Sequence, residues 1–239
     1  MGVRGGRRVA LVAILAAMST VVALQPAQSA SVLAFWQMSE TSGSTMNDST
    51  GNGLDGDIGP AVQIGRNEGG TTFFRWLFTR PEEYPPKPER LIQVPDERLN
   101  LGNAEFAISF RYRTSRPFGN IIQKGQAKTV GGQIKFQLPQ GNVTCLIRGA
   151  SGRRAVRSTG VYRDNQWHTV RCERHTNYIL MTITDPAGTV VETKRLNGPT
   201  GTFSNRFPLT IGGKLECDQI EVTCDYFTGD IDWVKVEIL

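Results

Sequence analysis

The sequence carries only two histidines and four cysteines in 239 residues. It has no GxSxG elbow, no CxxC pair and almost no apolar residues at helical spacing. Each shortage excludes something. Without a 3.6-residue apolar period lasting beyond two turns, a helical bundle or a doubly wound α/β fold has no elements to build from. His168 opens a strand-like segment and His175 closes it, with no serine or cysteine nucleophile in a motif context nearby, so triad chemistry has no framework. A zinc site lacks both the paired cysteines and a second ligand-spaced histidine. No internal repeat and no Ser-rich linker divides the chain, which predicts one large domain.

An excess of basic charge is missing as well, once the first residues are set aside. Met1 to Arg8 carries Arg4, Arg7 and Arg8 without an acid, residues 9–24 are an apolar run, and Ala27-Gln28-Ser29 supplies small residues for cleavage. The run is short for a span of about 20 residues. The pattern predicts a secretory signal peptide at 1–30, one domain at 31–239, a secreted location and no membrane span after cleavage. Three of the 27 basic residues and none of the 22 acidic ones lie in that leader, leaving 24 against 22, a balance that argues against a nucleic-acid partner. Cys145, Cys172, Cys217 and Cys224 are then expected in disulfides. Three connectivities are open; closeness in sequence favours Cys217 with Cys224, leaving Cys145 with Cys172.

What the sequence does have is alternation with period two. Ile108, Phe110 and Tyr112 oppose Ser109, Arg111 and Arg113, the pattern of a half-buried strand. Segments 133–138, 167–174, 178–184, 189–194, 209–211 and 231–238 are read as further strands. Between them lie turn signals such as Pro139-Gln140-Gly141-Asn142 and Asp185-Pro186-Ala187-Gly188. Short strands at this density predict an all-β antiparallel sandwich. Phe74, Trp76 and Phe78 share a face and are read as core, and Trp167 as a filler between the sheets. The prolines of 80–95 are taken to forbid a central strand, making that stretch a surface excursion.

Seven short motifs stand in one order: Leu33-Ala34-Phe35-Trp36 with Glu40 to Gly43, Asp48 to Gly53, Phe106 to Phe110, Ile121 to Gly125, Asp164 to His168, Leu209 to Gly213, and Gly229 to Asp232. In that order and rough spacing they resemble the laminin G-like and concanavalin A-like jelly rolls of secreted bacterial proteins. The resemblance implies two packed antiparallel sheets with a concave face and a ring of loops. It also implies a structural calcium ion at Asp48 and Asp232, with Gly51 and Asn52 offering carbonyl oxygens. Asp232, in phase with Val234, Val236 and Ile238, needs a partner of some kind, and oxygen-rich turns suit calcium.

Two constellations could carry function. Arg148, Arg153, Arg154 and Arg157 cluster about a hairpin tip without an acid, and Arg111 and Arg113 share a strand face; both sets are candidate ligand contacts. Glu216, Asp218 and Glu221 have the spacing of a jelly-roll glucanase motif, but they fall between two cysteines and near the end of the chain. The leading expectation is a secreted, non-catalytic module for a carbohydrate or other extracellular or cell-envelope polymer, anionic ones included. A glycan-degrading enzyme using Glu216, Asp218 and Glu221, and a protein-binding module of the cell envelope, are the alternatives.

Overall fold

A computed structural model describes residues 1–2, 30–78, 88–216 and 225–239. Residues 3–29 of the predicted leader, Cys217 and Cys224, and both Asp218 and Glu221 lie outside the described residues. Among those described there are sixteen strands: β1 (Ser31–Trp36), β2 (Thr45–Met46), β3 (Gly56–Ile58), β4 (Gln63–Glu68), β5 (Thr71–Trp76), β6 (Ile92–Val94), β7 (Phe106–Arg113), β8 (Asn120–Lys124), β9 (Gln133–Gln137), β10 (Thr144–Gly149), β11 (Gly152–Arg157), β12 (His168–His175), β13 (Tyr178–Thr184), β14 (Val190–Asn197), β15 (Leu209–Ile211) and β16 (Gly229–Ile238). Three single-turn 3₁₀ segments are the only helical pieces among the described residues, so none is long and apolar enough to cross a membrane.

The strands form two antiparallel sheets. The first has the order β14-β13-β12-β7-β16-β5-β4, with β1 also paired to β16; the second has the order β11-β10-β9-β8-β15-β6-β3-β2. The alternating strands place one face of each sheet on a shared core. Phe110 of β7 meets Phe136 of β9 edge-on at 5.2 Å between ring centroids, a contact made across the two sheets. Cys145 of β10 and Cys172 of β12 are disulfide-bonded with Cα atoms 6.4 Å apart, so this bridge pins one sheet to the other.

Four sequence expectations are corrected by the packing. Ile92–Val94 is an interior strand between β15 and β3 despite the proline-rich context. Pro88 and Pro95 flank it, and all three strand residues keep their N–H groups for the ladder. Phe74 and Trp76 are core, but Phe78 is 51% exposed and lies under the guanidinium of Arg116. Trp167 does not sit between the sheets: it packs edge-on to Phe73 beneath Arg111 and Arg113, on the solvent side of the first sheet. Finally, β16 bulges between Ile231 and Trp233. The extra residue is Asp232, and the inward phase passes from Val234 to Ile231.

Candidate functional site

The solvent face of the first sheet is crowded with charge, and nearly all of it is matched. Asp230 receives Arg75 at 2.7 Å and Arg113 at 2.8 Å, while Arg113 also reaches Glu68. Arg111 bonds Asp232 at 2.6 Å. Further along, Lys235, Glu237, Arg171 and Glu173 form a chain of ion pairs, which hydrogen bonds of His175 to Glu173 and Glu105 continue. Arg111 and Arg113, expected as ligand contacts, are therefore committed to carboxylates of their own sheet. An anionic polymer would have to displace those partners.

The calcium residues are likewise committed. The Asp48 carboxylate accepts the N–H groups of Phe35, Thr50 and Leu54 and the Thr50 hydroxyl. Burial alone would raise its pKa, yet these bonds together hold it below the ordinary carboxylate value. The Asn52 carbonyl accepts from Arg98 at 2.6 Å. Burial raises the Asp232 pKa against the pull of Arg111. Asp48 thus ties the 48–55 turn to β1, Asp232 is the bulge residue paired with Arg111, and Gly51 has no liganding companion. The residues as placed do not fit a calcium site, and among the described residues no cluster of three or more His, Cys, Asp or Glu side chains could hold a metal.

The basic hairpin forms as expected from β10 and β11, but its four arginines divide. Arg148 donates to the carbonyls of Gln126 (3.0 Å) and Thr129 (2.8 Å), and Arg157 to Pro139 O, Gln140 Oε1 and Asn142 Oδ1. Both are staples. Arg154 bonds only the carbonyl of Arg153, and Arg153 is exposed without a partner among the described residues.

Concavity lies elsewhere. In the second sheet β8, β15 and β6 are neighbours, and their antiparallel directions bring three turns to one rim: the segment after β6, the turn 125–132 after β8, and the approach to β15. Between these turns is a cleft of about 880 Å³. Its lining is amide and hydroxyl (Asn100, Gln126, Thr129, Ser204, Asn205), with Lys128 and Arg206 as exposed cations, Glu97 and Glu216 as carboxylates, and Phe207 and Val130 as apolar surface.

The walls are held before any ligand arrives. Asn205 donates its N–H to Asn100 Oδ1 (2.9 Å) and its Nδ2 to Gly132 O (3.1 Å), and its Oδ1 accepts from Phe207 N–H (3.0 Å), joining all three turns. Gln126 N donates to Thr129 Oγ1 at 2.7 Å, and Arg148 clamps the same turn from beneath. Gly131 has φ +88°, and a Cβ there would meet Ser204 O at 1.6 Å, so only glycine lets the two walls approach.

A side pocket of about 120 Å³ opens from the cleft and is lined by Lys124. Lys124 is 2% exposed. Its register opposite Ile134 and Leu209 turns it to the core side of β8, and Nζ donates to the Phe207 carbonyl. Burial lowers its pKa from 10.5 to about 8, with Asp96 and Glu97 pulling weakly the other way. Neither Lys124 nor the Asn205 network was found from sequence, although Lys124 in phase with Ile122 was a visible signal: a lysine at an inward position.

The chain matches the Laminin G domain family over residues 112–237. Among solved structures, it is similar to domain 4 of AbnA, a GH43 extracellular arabinanase from Geobacillus stearothermophilus, in complex with arabinotriose. The TM-score is 0.56 at 16% identity, covering 88% of this chain and 94% of that one. The binding domain of botulinum neurotoxin DC in complex with SialylT gives 0.56 at 14% identity, over 87% of this chain and 47% of its own. Domains LG4-5 of the mouse laminin alpha1 chain give 0.46 at 19% identity, over 57% of this chain. The chain spans 37% of that laminin fragment's length. No curated protein matches the sequence.

Proposed function

The chain belongs to the laminin G domain family, and from that premise we propose that it is an extracellular, non-catalytic glycan-binding module that holds its ligand in the rim cleft. The observation that carries this reading is the cleft itself: about 880 Å³, lined by amides and hydroxyls, with its three turns cross-linked by Asn205. Sugars present many hydroxyls of fixed orientation, and preorganised amide and hydroxyl partners bind them without an ordering cost at the moment of binding. The fold likeness to an arabinanase domain in complex with arabinotriose and to a toxin domain in complex with SialylT supports the same class of ligand. The ion-paired sheet face is a poorer candidate, because Arg75, Arg111, Arg113, Arg171 and Lys235 each already have a carboxylate. An extracellular setting accords with the leader-like first thirty residues and with the disulfide joining the two sheets.

A glycan microarray probed with the mature chain, followed by calorimetry on its hits, tests the proposal. Lys128→Ala and Arg206→Ala should each weaken binding several-fold while leaving the unfolding midpoint within a degree or two, since both side chains are exposed in the cleft lining and hold no wall in place. Binding that survives both changes but is lost in Trp233→Ala would move the site to the sheet face. Absence of binding to any array glycan would overturn the reading.

A further inference from the structure

Lys124 is a buried cation without a counter-ion. Its side chain enters the sandwich between Ile134 and Leu209, it is 2% exposed, and its one hydrogen bond goes to the Phe207 carbonyl. No carboxylate stands within ion-pair distance of it among the described residues. Asp96, which lines the same side pocket, is paired with Arg98 at 2.5 Å. Glu97 is exposed. An ammonium group has three N–H donors, and burying a charge without a partner is costly. Packing alone does not require it, since methionine would fill the same space.

The opening to this group is part of the cleft. The side pocket shares Glu97, Asn100, Asn205, Arg206 and Phe207 with the larger cavity, so a substituent projecting from a sugar ring in the cleft can reach Nζ. At about 120 Å³ the side pocket has the volume of roughly four waters. That is room for a carboxylate arm and not for a second sugar ring. Lys128 and Arg206 stand exposed at the mouth without a hydrogen bond or ion pair among the described residues, and they would draw an anion in.

We propose that Lys124 makes the cleft selective for acidic sugars, by seating the carboxylate of a uronic or sialic acid in the side pocket. This rests on the reading of the cleft as a glycan site. A charge-assisted hydrogen bond made away from water would supply the discrimination, since the carboxylate enters a pocket already holding the complementary charge and displaces only water. Arg206 and Lys128 at the rim contribute steering that salt screens, whereas the buried contact with Lys124 is screened much less.

Calorimetry with glucuronate, galacturonate and N-acetylneuraminate, each beside its methyl ester, tests the inference on the full mature chain. The parent should bind at least one acid about ten-fold more tightly than its ester, a difference of about 1.4 kcal/mol, and keep most of that preference in 0.5 M salt. Lys124→Met should abolish the preference while Arg206→Ala retains it. In the same samples, the acid and not the ester should raise the pH at which the Lys124 ammonium titrates, followed by NMR of the lysine side chain. If no acid is preferred over its ester, or if Lys124→Met keeps the preference, the inference fails. Neutral glycans binding the cleft with no acid preference would leave the glycan reading standing and remove only the role of Lys124. Loss of all sugar binding, with cleft variants indistinguishable from the parent, would remove both.

Discussion

A cation kept buried for a ligand should make the empty protein less stable than it could be. Lys124→Met replaces the ammonium with an unbranched apolar side chain of similar reach, and the structure sets the size of the effect. The group titrates near 10.5 when unfolded and at about 8 in the fold. Between those values the unfolded chain holds more protons than the folded one, so folding stability rises with pH through this window. Below pH 8 the full penalty is present. A pKa lowered this far corresponds to at most ~3 kcal/mol, and water in the adjoining cleft reduces that to ~1–2 kcal/mol. Losing the hydrogen bond to Phe207 O costs the variant up to ~1 kcal/mol. The net expectation is that Lys124→Met is more stable than the parent by about 1 kcal/mol at pH 7. By pH 10 most of the gain should be gone, because the parent's lysine is neutral in the fold. Equilibrium urea unfolding at both pH values measures this directly. A variant less stable than the parent at pH 7, or a difference unchanged at pH 10, would refute the account of Lys124 as an uncompensated buried charge.

Other consequences concern the frame around the cleft. The Cys145–Cys172 bridge has a sequence separation of 27, and constraining a loop of that length in the unfolded chain is worth ~3.5 kcal/mol. The double variant Cys145→Ala/Cys172→Ala should lose at least that in urea titrations, whereas a loss under 1 kcal/mol would mean that the sheets need no bridge. On the first sheet, Asp230→Ala leaves Arg75 and Arg113 facing each other without their shared carboxylate. The expected loss is ~2–4 kcal/mol, with sugar binding by the remaining folded protein unchanged; parallel loss of affinity would implicate the sheet face in binding. Bonds from the Thr176 N–H and hydroxyl, with His175 adding to them, hold Glu105 at about 2 against an ordinary 4.5. Its contribution is complete above pH 4.5 and is lost as pH falls towards 2, so Glu105→Gln should flatten the acid limb of stability in that window, measured as midpoint against pH.

Much of the architecture was legible in the residues themselves. Alternation in 107–113, 178–184 and 209–211 gives strands whose bounds differ by no more than one residue from those observed, because a half-buried strand must place every second side chain in the core. The hairpin of β10 and β11 followed from the Gly149–Gly152 turn. Two of the errors turned on strand pairing. Period two carries Asp232 inward from Val234, but a single bulge residue reverses the phase, and a bulge is decided by pairing with β7. Prolines count against a strand only where their missing N–H is needed, and β6 fits between them.

The same division holds for the site. Composition, alternation and motif order determine an all-β sandwich of two sheets and the hairpin with its arginines, because these are local or additive properties of the chain. Which charges are free is neither local nor additive. Arg113 is neutralised by residues 45 and 117 positions away, Arg148 becomes a clamp on the 125–132 turn, and Lys124 is left alone with the Phe207 carbonyl. Those outcomes depend on which strands lie beside which, and the cleft exists because β6, β8 and β15, far apart in sequence, end side by side. Only the tertiary structure decides that, since long-range strand order sets the neighbours that a side chain finds once it has left water.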